Sequence, residues 1–385
     1  MARRRPIPWP RNRRAARAAL LCLLAGLALA SCSSVSGPEA AGFRSFAMGF
    51  TDFPYGLDAE DIYGTWDLIR DNGDMIVLHF DGGVPWQEAL DGAGYAASWE
   101  QDLDFKTLQT PYGHIVYLAV TPINDSRNGL ANYRGSQPNE PLPFPWSTYA
   151  FDQPDVVTAY VAHCLRMIEE FSPDYFAYAI EANMVHTNAP GEWDGFVSLA
   201  AATYAAVKDD YPDLPVFITF QADAFHADEL AQSFAIDDVL PYTDMIAVSG
   251  YPFTAAPHDV DSLRADYFTR LAALAPAKPF AIAETSWPAE HLGDPFWEEI
   301  PFDEADQKAW VERIVKESND LDGAFICWFF VRDYDEIYDD IFQHWPNNWI
   351  PRTWRDTGLF AGDGTERAGL ISWRQTLARP LSASP

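Results

Sequence analysis

The chain has 385 residues, 48% of them hydrophobic, and a formal net charge of −30 at pH 7. That is ample apolar material for a sizeable core, as one large domain or two ordinary ones. The acidic excess argues against nucleic acid or an anionic membrane surface as partner.

The first 31 residues differ from the rest. A stretch rich in arginine and free of acids leads into "AALLCLLAGLALA", an apolar run too short for a confident membrane span. With "LASC" (Leu29 to Cys32) behind it, the pattern predicts a secretory signal peptide over residues 1–31. The ending resembles the bacterial lipoprotein cleavage box. That resemblance implies lipidation at Cys32, export, and anchoring to the cell envelope by the lipid alone, in the outer membrane if the cell is Gram-negative. Without that segment the chain has 19 basic against 56 acidic residues, a net charge near −37. Residues 32–42 are small and polar and read as a tether, which leaves 43–380 as the folded body.

Short apolar runs then recur at 46–51, 75–80, 115–121, 175–180, 216–220, 245–250, 280–284 and 323–330. Helix-like stretches separate them, among them 155–171, 193–211 and 303–318, the last with Asp303 or Asp306 as N-cap and Lys316 in its final turn. Eight strands alternating with helices predict α/β architecture, a single-domain (β/α)8 TIM barrel. A doubly wound open sheet would want a glycine-rich phosphate loop after the first strand, and "GFTDFPYGLD" is not one. The stretch 122–154 lacks helical periodicity and reads as a long functional loop.

In such a barrel chemistry gathers where strands end and βα loops begin. The strand ends bring forward Asp52, His79, Asp81, Glu181, Asn183, Gln221, Tyr251, Glu284 and Trp328, with Trp287 just beyond the seventh strand. "YFAYAIEANM" and "PFAIAETSWP" each drive an apolar strand into a carboxylate, on strands 4 and 7. Burial opposes ionisation, so such carboxylates are poor choices for stability alone. Two facing each other across a pocket are what cleavage of a glycosidic bond needs: one donates a proton, the other attacks or activates water. The bland alternative is a barrel-mouth salt bridge between each Glu and an Arg.

Glutamates on strands 4 and 7 resemble the signature of the clan A glycoside hydrolases, which retain anomeric configuration. "AETSWP" resembles the nucleophile strand of endo-β-1,4-galactanases and β-1,3-glucanases, "VSGYPF" their strand 6, and "YPDLPVFIT" their entry to strand 5. The resemblance implies Glu181 as acid/base, Glu284 as nucleophile, Tyr251 as the nucleophile's hydrogen-bond partner and Trp328 as a platform under the sugar. Asp52, His79, Asp81, Asn183, Gln221 and Trp287 complete the expected substrate-binding set. One position departs from the clan pattern. Ile180 stands where an Asn usually precedes the acid/base, and Asn183 follows two residues after it. Three readings stay open: Asn183 takes over the sugar contact, the family is divergent, or the site binds without cutting. In the last case the chain is a non-catalytic surface glycan-binding lipoprotein.

Trp86, Trp146, Trp193, Trp287, Trp297, Trp345 and Trp349 fall in or beside predicted βα loops, so some should line a sugar cleft. No HxH, HExxH or GxSxG occurs, and no cofactor or metal is expected. The acidic run 332–340 reads as a solvated face, and Cys164 and Cys327 as buried thiols.

Overall fold

A computed structural model of the chain describes residues 42–255, 258–291, 301–345 and 349–382. The expected signal segment, Cys32, nearly all of the tether and Trp297 lie outside the described residues, as does the side chain of Trp349.

Eight parallel strands close into a barrel: β1 (Ala47–Thr51), β2 (Met75–Phe80), β3 (Ile115–Val120), β4 (Tyr175–Ala179), β5 (Val216–Gln221), β6 (Ile246–Gly250), β7 (Phe280–Thr285) and β8 (Phe325–Trp328). β8 returns to pair with β1, Ala47 facing Phe325 and Phe50 facing Trp328. Closure removes every free strand edge. Gly49 leaves no room for a side chain against β2, since a Cβ there would sit 2.1 Å from the Met75 carbonyl oxygen. Helices Pro154–Phe171, Trp193–Asp210 and Glu304–Asp320 cover the outside near their expected bounds. Asp303 caps the last of these by accepting from the amides of Ala305 and Asp306. That helix outruns the expectation, so Lys316 lies a turn before its end and pairs with Asp320.

The strands are continuous apolar runs because they are buried on both faces. The inner wall alternates small and large: Ala119, Ala177, Ala247 and Ala281 leave room for Tyr117, Phe217 and Phe325. Tyr117 and Phe325, with ring centroids 5.0 Å apart, fill the barrel. The outer set, including Phe50, Leu118, Ile282, Ile326 and Trp328, packs against the helices.

That alternation corrects two expectations. Cys327 faces the interior, so Trp328, one residue on, faces out. It is fully buried against Trp373, and its indole N–H donates to the Thr357 carbonyl, so it is no platform for a sugar. Trp287 is also fully buried, packed among Phe253, Phe302 and Trp310 outside the barrel. Trp86, Trp146 and Trp193 are core residues too; of the tryptophans expected in a cleft and described with side chains, Trp345 is the exposed one.

The acidic run is corrected as well. Asp333 is buried and ion-paired with Arg367 at 2.6 Å. The oxygens of Asp333, Asp335 and Asp356 come within 4.8 Å of one another, and Arg352, Arg355 and Arg367 supply the countercharge. Cys164 and Cys327 are free and buried.

Candidate functional site

Both glutamates follow an irregularity in their strand. In β7, Val248 of β6 faces Ile282 but the next residue, Ser249, faces Glu284, so Ala283 is extra. Strict alternation would put Glu284 on the same outer face as Ile282. The bulge resets the phase and turns the carboxylate inward. In β4 the pairing with β5 slips between Ala177 and Ala179. Glu181 then takes φ 51°, the left-handed region, which costs a non-glycine residue about 1 kcal/mol. Its amide is fixed by donating to Thr219 Oγ1 at 2.8 Å.

Glu284 is buried and held from two sides. His79 Nε2 lies 2.8 Å from Oε1, and the Tyr251 hydroxyl donates to Oε2 at 2.9 Å. Burial opposes its charge, but His79 and the Tyr251 hydrogen bond outweigh burial and hold the carboxyl below its ordinary value. His79 responds in kind: burial disfavours the imidazolium, Glu284 overrides that, and the group is pushed up to about 9.

Glu181 has a different partner. Arg127, from the loop after β3, donates to Oε2 from Nη2 at 2.9 Å and from Nε at 3.2 Å. Here burial dominates: it lifts the carboxyl, Arg127 works against it, the charge of Glu284 adds to it, and the result is raised. The two carboxyls are therefore close enough to sense each other, and their surroundings push them apart.

The remaining expected residues divide between the site and its support. Asp81 is half-exposed at the mouth, 3.9 Å from His79 Nδ1, a nitrogen with no hydrogen-bond partner among the described residues. Asp52 is buried beneath, paired with Lys106, and accepts the His79 amide at 3.2 Å. It supports His79 and does not face a ligand. Asn183 is fully buried, bonded through its amide nitrogen to Gln221 O and Gln232 Oε1 and through its oxygen to the Gln221 amide. It therefore does not take over the sugar contact. Gln221 caps the helix Ala222–Ala227 and reaches Asp223 at 3.0 Å. Asp223 in turn accepts the Tyr251 amide at 3.0 Å and the Tyr267 hydroxyl at 2.6 Å, which steadies Tyr251.

Sequence reading missed Arg127, Lys106 and an aromatic wall. Phe53 lies 5.4 Å from the His79 ring, and Trp354 lies 4.3 Å from that of Tyr251. Phe329 touches both, at 6.0 Å from each. The signal for Arg127 was the long loop itself. Phe329 and Phe330 lie in the apolar run 323–330, but β8 ends at Trp328. Beside this wall a cavity of about 360 Å³ opens. A second cavity, of about 440 Å³, lies at the other end of the barrel among Tyr175, Pro279 and Ala324, away from the carboxylates.

Solved glycosidase structures share this fold. An exo-β-1,4-mannosidase from Opitutaceae bacterium strain TAV5 superposes with a TM-score of 0.61 at 12% identity, covering 90% of this chain; the chain spans 62% of that protein's length. A GH5_18 protein from Streptomyces cattleya, solved in complex with Manβ1-4GlcNAc, gives 0.64 at 14% identity, with 88% and 82% of the two chains covered. The GH53 catalytic domain of Ignisphaera aggregans gives 0.50 at 19% identity, with 83% and 88% covered. At these identities the likeness is one of fold. No family model and no curated protein matches the sequence.

Proposed function

We propose that the chain is a retaining glycoside hydrolase acting on a β-linked polysaccharide or oligosaccharide, endo-β-1,4-galactanase-like or β-glucanase-like. The observation that carries the reading is the placement of two buried carboxyls after β4 and in β7: His79 and Tyr251 grip Glu284 and hold it below its ordinary value, while Glu181 meets Arg127 and burial raises it. Opposed shifts are what assign acid and base roles to a pair of like groups. Glu181, protonated, gives its proton to the glycosidic oxygen. Glu284, ionised, attacks the anomeric carbon to form a glycosyl-enzyme, and Glu181 then draws a proton from the incoming water. Tyr251 and His79 aim the nucleophile. The partly exposed carboxylate of Asp81, beside His79, is placed to meet a sugar hydroxyl.

Release of reducing ends from β-mannan, β-1,4-galactan and β-1,3-glucan tests the activity, and the anomer formed first, followed by NMR, tests retention. The Arg127 contact on Glu181 favours a second reading, a glycan-binding protein that does not cut. Wild type that binds glycans yet releases nothing from a broad panel supports that second reading. We also propose export and lipid anchoring through Cys32. Mass spectrometry of the mature N-terminus and loss of membrane association in Cys32→Ala check it.

A further inference from the structure

The cavity of about 360 Å³ beside the carboxylates is unlike a sugar site. Nine of its lining residues are described, among them Phe53, Phe330, Ile337, Phe342, Trp345 and Trp354. Among these described residues the only polar side-chain atoms are two indole nitrogens and the Tyr334 hydroxyl, which already donates to the Pro351 carbonyl. A pyranose turns hydroxyls outward around its rim, and a wall with so few partners leaves them unpaired at a cost in free energy. An alkyl or aryl group leaves nothing unpaired, and gains from every apolar contact.

The cavity is also joined to the catalytic groups by shared residues. Phe53 lines it and packs on His79 at 5.4 Å; Trp354 lines it and packs on Tyr251 at 4.3 Å. Those are the two side chains that hold Glu284. Whatever occupies the cavity is thus within one side chain of the groups that hold the candidate nucleophile. Trp345, at 52% exposed, stands at its open side and packs on Phe342 at 4.7 Å.

We propose that this cavity binds an apolar substituent carried by the sugar substrate, an alkyl, acyl or aryl group covalently joined to it. The inference rests on the glycosidase reading for the identity of the sugar, but not for the presence of the apolar subsite.

The test is calorimetric titration of the full chain with matched pairs: methyl and n-octyl β-glucoside, β-galactoside and β-mannoside, each below its micellar concentration. Phenyl glycosides form a parallel arm that separates aryl from alkyl occupants. At least one octyl or phenyl glycoside should bind ten-fold or more tighter than its methyl partner. Phe342→Ala and Trp345→Ala should each cut that advantage to three-fold or less while thermal unfolding stays unchanged. Equal affinity within every pair overturns the proposal, as does an advantage that survives both substitutions. Hydrolysis of a panel glycan without any octyl or phenyl advantage sinks this inference alone. A pocket-dependent advantage without hydrolysis of any glycan sinks the enzymatic reading alone.

Discussion

Glu181 and Glu284 stand at the ends of two strands of one barrel, yet they are held by different kinds of device. Glu284 is gripped by His79 at the end of β2 and Tyr251 after β6, both mounted on the barrel wall. Glu181 sits on left-handed backbone, and its charged partner comes from a loop whose own Arg127 also has positive φ, 52°. A nucleophile keeps one charge and one position until it attacks, which rigid mounting suits. An acid/base group changes protonation twice per cycle, and a partner on a loop can follow that change.

Substitutions can break this asymmetry. The largest effect falls on Glu284→Gln, expected to cut kcat/KM by at least about 10⁴-fold on every substrate. Glu181→Gln should cost about 10²–10⁴-fold on glycans but markedly less on aryl glycosides with good leaving groups, which need little protonation. An equal loss on both substrate types would contradict the acid role.

His79→Gln removes the cation that keeps Glu284 ionised, so the acidic limb of kcat/KM should move to higher pH. The same variant has a signature in stability. The folded value of His79 is raised from 6.5 to about 9, so its contribution is fully present below pH 6.5 and lost as pH rises through 9. Wild type should lose on the order of 3 kcal/mol of unfolding free energy across that window, and the variant should show a flatter slope in urea titrations.

Arg127→Met should act on the opposite limb. With the guanidinium gone Glu181 rises further, so the alkaline limb shifts up, and Glu284 loses a smaller share of its stabilising charge, so the acidic limb shifts up less. The smallest kinetic effect belongs to Trp328→Phe. It should lower the melting temperature through lost packing on Trp373 and a lost bond to Thr357, with KM unchanged. A raised KM at intact stability would return that residue to the site.

The barrel was legible because parallel strands buried on both faces must be apolar throughout, and each predicted run lies within two residues of an observed strand. The two glutamates stood out for the same reason, as charges ending such runs. What the sequence concealed was phase. The resemblance implies a platform at Trp328, the last residue of β8, but its parity points it outward. Asn183 was read as a sugar ligand, but the short helix it opens turns it into the protein, onto Gln221 and Gln232. Arg127 reaches Glu181 across 54 positions, and only the folded loop brings them together.

The mounting of Arg127 has an evolutionary side. Barrel strands resist change because both faces of the sheet are packed, whereas a partly buried loop position such as 127 accepts exchange more readily. The charge beside Glu181 is thus carried by a loop and not by the barrel wall. A single exchange at position 127 would retune the proposed acid/base group more than the proposed nucleophile, because Arg127 hydrogen-bonds Glu181 and acts on Glu284 through charge alone.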